Sequence, residues 1–254
     1  MRLSFTVLVL SLAASATASS ILHKRIIGGT NVREGELPFI AQIVNKRRPC
    51  TGFLIGPQTI MTAALCVQDR THSGVVYGHI KSKEGHSTTV AEFVPHPQFN
   101  RAMEDYDIGL IFLSKKVPGP YAKIGSSYPK KKVTAAGFGY IDNAGTSSLF
   151  LNKVPLNVAS KSACLDHFDT FQSARQFCTS YIPLGHAVCG GDSGGPVYTG
   201  SGEKLRVVGI VNHGIGGKLC GAEGAYQYHA FIEPYMPWVR DEIRRFERDG
   251  PRTP

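Results

Sequence analysis

The chain has 254 residues, of which 28 are Lys or Arg and 19 are Asp or Glu, so its formal net charge is +9. Hydrophobic residues make up 42% and charged residues 19%, a composition that excludes an intrinsically disordered chain. The 28 Gly and 15 Pro favour many short strands and turns over a helical bundle. Six cysteines are too few for a fold held by disulfides alone, but all of them can pair.

The first 18 residues have the features of a secretory signal peptide. Arg2 precedes the apolar run 5–14, and the small residues at 14–18 form an A-x-A cleavage site that predicts cutting after Ala18. The run is far shorter than the ~20 residues that a transmembrane helix needs, and a buried strand is the alternative. The sequence therefore predicts a secreted, extracellular protein whose cysteines meet an oxidising environment.

A dibasic pair, Lys24-Arg25, directly precedes the segment 26–29 (Ile-Ile-Gly-Gly) and predicts a processing site. An ordinary basic loop is the alternative. Cleavage after Arg25 would remove a propeptide at residues 19–25 and leave one domain at residues 26–254. Because three of the removed residues are basic and none is acidic, the mature chain would have 254 − 25 = 229 residues and a charge of 9 − 3 = +6.

Short runs with β-like patterns follow, each bounded by turn residues. They are residues 39–44, 52–55, 88–94, 108–113, 132–136, 197–198 and 205–211. The segment 115–120, which is rich in Lys, Pro and Gly, is the candidate connector between two halves. Near the end, Val239, Ile243 and Phe246 follow Pro237 at the spacing of a helix with one buried face. The predicted fold class is all-β with a C-terminal helix.

Basic residues cluster at 46–48, 115–116, 130–132 and 244–245. None of these clusters forms a helical stripe or alternates with aromatic residues, so we expect no nucleic-acid partner. Solvated loops are the expected setting of these charges, and attraction for acidic polymers is the alternative.

The most informative stretch is 189–196, Cys-Gly-Gly-Asp-Ser-Gly-Gly-Pro. Glycines on both sides of Ser193 allow a tight turn, in which the amides of Gly191 and Ser193 can converge on one point. Converging backbone donors form an oxyanion hole, which stabilises charge developing on a carbonyl oxygen. A Gly-rich turn without function is the alternative, and the full run argues against it.

With this stretch, the chain resembles the trypsin/chymotrypsin family of serine proteases. The resemblance covers residues 26–246 and rests on segments in the family's order and approximate spacing, namely 26–29, 62–66, 107–110, 191–196, 209–211 and Trp238. It implies two six-stranded antiparallel β-barrels with the active site between them. Six cysteines allow 15 connectivities; the resemblance implies the pairs Cys50–Cys66, Cys164–Cys178 and Cys189–Cys220.

The resemblance also implies activation by cleavage. In relatives, the amine freed at the position of Ile26 inserts beside the Asp next to the catalytic Ser, which here is Asp192. The ion pair would organise the amides of Gly191 and Ser193, and a buried Asp without that partner costs several kcal/mol. Arg25, Ile26 and Asp192 are therefore the expected activation residues.

The resemblance gives the catalytic positions, and one of them departs from the family. Ser193 matches the nucleophile and Asp107 the orienting carboxylate, but Leu65 stands directly before Cys66, where the family has its general-base histidine. A serine hydroxyl is a weak nucleophile until a base takes its proton, and leucine has no lone pair to accept it. Loss of the triad histidine in an enzyme that has the same triad on an unrelated fold cost about 2 × 10⁶ in rate. We therefore expect an inactive or severely impaired enzyme.

The implied substrate pocket departs from the family as well. Ala187 stands where trypsins carry the Asp that binds Arg or Lys, so basic specificity is not expected. Asn212, His213 and Gly214 replace the family's Ser-Trp-Gly, and Tyr226 aligns with a pocket-wall glycine, where a phenol would narrow the pocket. His213 is expected near the site but not between Asp107 and Ser193.

Two functions therefore stay open. The first is a secreted, noncatalytic homologue that binds a protein or peptide, such as another secreted enzyme, as a decoy, inhibitor or cofactor. The second is an active secreted serine endopeptidase with non-basic specificity. We expect a monomer with no cofactor and no membrane partner. We also expect no metal, since Glu84 has no second carboxylate at the family's calcium-loop spacing.

Overall fold

A computed structural model describes residues 28–44, 49–68, 74–103, 105–180, 186–214, 220–222 and 224–252. The predicted signal peptide, propeptide, Arg25 and Ile26 lie outside these residues and stay predictions. His213 and Gly214 lie at the end of a strand, and only their backbone is described.

Short strands dominate the part of the chain that the structure describes, with one helix between strands and one at the end. The strands are β1 (Thr30–Asn31), β2 (Ile40–Val44), β3 (Cys50–Gly56), β4 (Thr59–Thr62), β5 (Gly74–Tyr77), β6 (His86–Thr88), β7 (Val90–Pro95), β8 (Gly109–Leu113), β9 (Lys132–Gly137), β10 (Asn152–Val158), β11 (Gln176–Ser180), β12 (Pro196–Thr199), β13 (Arg206–Gly214) and β14 (Tyr226–Phe231). The α-helices are α1 (Lys161–His167) and α2 (Met236–Asp249), and single 3-10 turns cover Ala64–Cys66, Gly202–Lys204 and Glu233–Tyr235.

The first barrel is an antiparallel sheet in the order β6-β5-β2-β3-β4-β8-β7. Its edge strands β6 and β7 are separated only by Thr89, so the continuous chain brings the two edges of the sheet round to each other. The predicted strand at 88–94 is therefore broken at Thr89. All five residues of β8 are buried, because the sheet packs a core on one face and α2 covers the other, with Phe246 stacked on Phe112 at 4.2 Å between ring centroids.

The second barrel closes on itself through six strands in the order β9-β10-β11-β14-β13-β12, because β9 pairs with both β10 and β12. The two-residue β1 adds to β10, so the start of the described chain belongs to this barrel. Its core is small and apolar, with Val154, Phe177 and Val197 fully buried.

The all-β fold class with two antiparallel barrel-like sheets and a C-terminal helix is confirmed. The second sheet closes through six strands as predicted, whereas the first has seven strands and, among the described residues, no pairing between its edge strands. The helix begins one residue before the predicted Pro237 and continues to Asp249, with Val239 on its buried face. Helix α1 was not predicted; Ser160 caps it by accepting a hydrogen bond from the Ala163 amide at 3.2 Å.

Three disulfides, Cys50–Cys66, Cys164–Cys178 and Cys189–Cys220, have the pairing that the resemblance implied. The first ties β3 to the turn after β4, and the second ties α1 to β11. Within the described ranges, neither helix is long and apolar enough to cross a membrane. The same residues contain no group of three or more His, Cys, Asp or Glu side chains arranged to hold a metal ion.

The two barrels are joined by elements that cross from one to the other. Arg245 of α2 forms an ion pair with the buried Glu92 of β7 at 2.9 Å, and Arg252 pairs with the same carboxylate at 3.2 Å. Arg175, just before β11, forms a bidentate pair with Asp105 of the first barrel and lies over the Tyr106 ring at 4.3 Å. The Arg175 contacts to Asp105 and Tyr106 hold the loop that carries Asp107.

Candidate active site

Ser193 lies in a tight turn that leads into β12. The Asp192 amide donates to the Cys189 carbonyl at 3.1 Å, and the Gly195 amide donates to the Asp192 carbonyl at 2.9 Å. Gly194 has φ +84°, and a Cβ there would collide with Thr62 Oγ1 and the Thr51 carbonyl. Glycine is needed at this position because the chain must reverse its direction here and must also come close to the backbone of the first barrel.

The amides that the sequence assigns to an oxyanion hole belong to Gly191 and Ser193. Among the described residues, neither the Gly191 nor the Ser193 amide donates a hydrogen bond to the protein. Gly191 has φ +95°, a left-handed conformation that favours glycine. The Ser193 hydroxyl also has no hydrogen-bond partner among the described residues. The turn therefore presents donors and a serine hydroxyl, and no base of the described residues contacts that hydroxyl.

Thr51 of β3 holds this turn from the first barrel, a role that the sequence did not reveal. Its amide donates to the Ser193 carbonyl at 2.9 Å, and its hydroxyl donates to the Gly191 carbonyl at 3.0 Å. The same hydroxyl accepts a hydrogen bond from the Phe138 amide at 3.1 Å. Thr62 in turn donates to the Thr51 carbonyl at 2.8 Å. This fully buried network links both barrels at the turn.

Asp107 is held by donors from both barrels. The Leu65 amide donates to Oδ1 at 2.8 Å, and the Asn212 side-chain amide donates to Oδ2 at 2.7 Å and to the Asp107 carbonyl at 2.8 Å. Asn212 is fixed in turn, because its Oδ1 accepts a hydrogen bond from the Ala230 amide. Asp107 and Asn212 are only 5% and 2% exposed. The structure therefore brings Asp107, Asn212 and Leu65 together.

Two buried histidines are held away from this centre. His96 stacks on Tyr106 at 4.8 Å between ring centroids and also contacts Trp238. His229 shares a hydrogen bond of 2.9 Å with Thr179 Oγ1. Burial lowers the pKa of His96 to about 4 and that of His229 to about 3, so both are neutral at pH 7.

Asp192 is completely buried beside Ser193. Its carboxylate accepts hydrogen bonds from the Gly139 amide at 2.9 Å and from the Cys189 amide at 2.8 Å. Loss of hydration is the largest effect and raises the pKa of Asp192 to about 7, although the two amides act in the opposite direction. Any Cβ at Gly139 would collide with this carboxylate. The site thus holds a buried acid with backbone donors around it.

Of the residues assigned to the substrate pocket, Ala187 and Asn212 are buried and uncharged. Ala187 and Val188 are at most 2% exposed and lie in the apolar core of the second barrel. Tyr226 lies elsewhere than expected, since its ring packs against His167 of α1 at 3.8 Å between ring centroids. The next residue, Gln227, lies opposite Gly214 and directs its Nε2 towards the Asn212 carbonyl at 3.5 Å. Gln227, rather than Tyr226, therefore lies beside the residues of the expected pocket.

The comparison with protein families agrees with this geometry. A family model described as Trypsin matches residues 26–239. The matched range contains Ser193, Asp107, Asp192 and Leu65, and it spans both barrels.

Proposed function

Because the chain belongs to the trypsin family of serine proteases, we propose that it is a secreted member that has lost most or all of its hydrolytic activity and acts by binding a protein or peptide. One observation carries the proposal. Position 65 offers Asp107 a backbone amide, but its side chain is an aliphatic group with no proton acceptor, and the Ser193 hydroxyl has no partner among the described residues.

Catalysis by the family requires proton transfer at two points. A base takes the proton of the serine hydroxyl as the oxygen attacks the carbonyl carbon, and the same group then protonates the leaving amine. Leu65 can do neither. A rate loss of about 10⁶ corresponds to roughly 8 kcal/mol of transition-state stabilisation. The amides of Gly191 and Ser193 can still bind a carbonyl oxygen, so the site retains a recognition element without the chemical step.

The pocket favours binding of an uncharged group. Ala187 offers no carboxylate, and the buried neighbours Val188 and Gln227 are neutral. A basic side chain placed there would lose its hydration without gaining a counter-charge, which is costly. A decoy, inhibitor or cofactor role is compatible with such a site. The three disulfides support secretion, because they persist in oxidising compartments.

The second candidate is an active endopeptidase with non-basic specificity. Its support is the orientation of Asp107 by Leu65 and Asn212. The amides of Gly191 and Ser193, which donate to no described residue, support it as well. Under this proposal another base would have to reach Ser193. Activation by cleavage after Arg25 is compatible with both proposals. In either case the buried Asp192 would gain a cationic partner from the freed Ile26 amine.

A fluorophosphonate probe, which labels a serine nucleophile activated by a base, separates the two. The secreted chain is cleaved after Arg25 and treated with the probe alongside Ser193→Ala. Labelling no faster than in Ser193→Ala supports the noncatalytic proposal. Rapid labelling of Ser193 together with turnover of peptides with apolar side chains contradicts it and supports the endopeptidase.

A further inference from the structure

The side chain of Gln227 on β14 is directed into the second barrel. Residues two apart along an extended chain share one face, so Gln227 lies on the face of Ala225 and His229. Ala225 belongs to the same buried apolar cluster as Ala187. The His229 ring lies 5.0 Å from the ring of Phe177, which is part of that cluster. Gln227 therefore faces the interior in which the expected pocket residue Ala187 lies.

The burial of Gln227 is unusual for a polar side chain in a place where a ligand is expected. Gln227 is only 3% exposed. The preceding residue, Tyr226, points the other way and packs on His167. The strand thus places its aromatic residue outside the pocket and a long, uncharged amide inside it.

A bulge in β13 sets the hydrogen bond that Gln227 makes. Between the opposed pairs Val211–His229 and Gly214–Gln227, β13 advances three residues where β14 advances two. Such a bulge re-aims the backbone groups of the longer strand. The Asn212 carbonyl lies in this bulge and accepts from Gln227 Nε2 at 3.5 Å. The amide of the glutamine is therefore directed to the backbone of the expected pocket rather than to solvent.

We propose that Gln227 closes the specificity pocket from inside, so that the bound protein or peptide presents glycine, or at most alanine, there. This is the residue whose carbonyl oxygen meets the amides of Gly191 and Ser193. The inference rests on the proposed binding function and names the class of segment that the site takes. It narrows the uncharged group to a hydrogen atom or a methyl group.

A larger ligand side chain would have to displace the glutamine. The amide of Gln227 would then lose its partner in apolar surroundings, which is unfavourable. The displacement would also disturb Asn212, whose side chain holds Asp107 Oδ2 at 2.7 Å. A glycine makes no such demand, because its backbone can reach the two amides while Gln227 stays in place.

The test uses the chain cleaved after Arg25 and a series of fluorescent peptides, each closed by a disulfide that keeps its backbone extended. The peptides differ at one residue, X, which is Gly, Ala, Val, Leu or Phe, and fluorescence polarisation gives their affinities. In the unchanged chain, we expect the Gly and Ala peptides to bind at least about tenfold more tightly than the Leu and Phe peptides. Gln227→Gly should reverse this order, because the emptied pocket has apolar walls at Ala187 and Val188.

Tyr226→Gly is the matched control, since it makes the same kind of change one residue away on the opposite face of the strand. It should keep the order of the unchanged chain. Gln227→Met has a side chain of similar length without the amide and should also keep that order, because the pocket stays filled. Gln227→Ala serves if the glycine variant does not fold.

Three results would overturn the inference. In the first, the unchanged chain binds the Leu or Phe peptide as tightly as the Gly peptide. In the second, Gln227→Gly and Tyr226→Gly give the same order of affinities. In the third, no peptide of the series binds, so that no glycine is recognised at this site. None of these results alters the labelling of Ser193 by the fluorophosphonate probe, which tests the proposed function separately.

Discussion

The backbone amide of Leu65 donates a hydrogen bond to Asp107 Oδ1 at 2.8 Å. Residue 65 therefore still orients the carboxylate, although its side chain contributes no polar atom. Asn212 holds the second carboxylate oxygen at 2.7 Å. Position 65 thus offers no side-chain proton acceptor, while its backbone helps to orient the Asp107 carboxylate.

This arrangement predicts that Leu65→His restores nucleophilic character to Ser193. An imidazole at position 65 would lie beside an already positioned Asp107 and could take the hydroxyl proton. We expect fluorophosphonate labelling of the cleaved chain to rise by at least about 100-fold, since general-base catalysis contributes about 10²–10⁴. The measurement is the labelling rate of Ser193 followed by mass spectrometry.

Leu65→Phe is the control for this variant, because it introduces a ring without a proton acceptor. Its labelling should equal that of the unchanged chain. If Leu65→His labels no faster than Leu65→Phe, position 65 is not the main lesion and other residues of the cleft also prevent catalysis.

The buried Asp192 predicts a pH-dependent loss of stability in the uncleaved chain. Burial raises its pKa from 3.8 to about 7, so the folded protein binds this proton more tightly than the unfolded chain does. The resulting stabilisation is complete below pH 4 and is lost as pH rises through 7. The full loss corresponds to roughly 4 kcal/mol. The free energy of unfolding should therefore be measured by denaturant between pH 4 and 8 for the unchanged chain and for Asp192→Asn. The difference between the two values should change by about this amount over that pH range.

The difference between the two proteins isolates Asp192 from His96 and His229, whose lowered pKa values make stability rise with pH over the acidic range. The exposed Asp169→Asn is the matched control and should follow the unchanged chain. A constant difference between Asp192→Asn and the unchanged chain would show that Asp192 does not titrate in this range. Cleavage after Arg25 should reduce the loss at pH 8, because an ammonium group would then pair with the carboxylate.

Thr51→Val should destabilise the Ser193 turn. Valine keeps the shape but leaves the Gly191 carbonyl and the Phe138 amide without their shared partner. Two buried groups without hydrogen bonds cost about 2–4 kcal/mol together. Chemical denaturation should show this loss, and hydrogen exchange at Phe138 should become faster.

Thr51→Ser keeps the hydroxyl and loses one methyl group, so it should cost only about 1 kcal/mol. Equal destabilisation by the serine and valine variants would mean that packing of the methyl group, rather than the hydrogen bonds of the hydroxyl, is the main contribution of Thr51.

Arg245→Met should weaken the attachment of α2 to the first barrel. Arg245 is 16% exposed and pairs with Glu92, which is 7% exposed, so its removal leaves a buried carboxylate with only the more exposed Arg252. We expect a loss of roughly 1–3 kcal/mol in the free energy of unfolding. The adjacent Arg244 is 68% exposed, and Arg244→Met should change stability by less than about 0.5 kcal/mol. Equal effects of the two variants would contradict a specific role for the Glu92 pair.

The sequence predicted the elements whose signal is local. The helix near Val239 and Ile243 shows a regular apolar spacing over several turns, and α2 lies there. Helix α1 is only seven residues long, and its clearest local signal is the capping Ser160, which on its own also fits a turn. The motif around Ser193 identified the turn because its glycines are required by backbone geometry.

Contacts between distant residues could not be predicted in the same way. The partners of the Thr51 hydroxyl are 87 and 140 residues away in the chain, and no local pattern marks them. Tyr226 shows a different difficulty. Side chains of a strand alternate between two faces, so an alignment error of one residue moves a side chain from the pocket to the opposite surface. Gln227 occupies the place that the alignment gave to its neighbour.

The start of the described chain packs on the second barrel and its end packs on the first, and this exchange has a consequence for synthesis on the ribosome. β1 is made first but pairs with β10, and α2 is made last but packs against Phe112 of the first barrel. The first barrel therefore leaves the ribosome with its outer face at β8 uncovered until the final residues have been translated. A nascent chain must keep this apolar surface from aggregating while the second barrel forms, and a message truncated before codon 236 would produce a protein that never covers it.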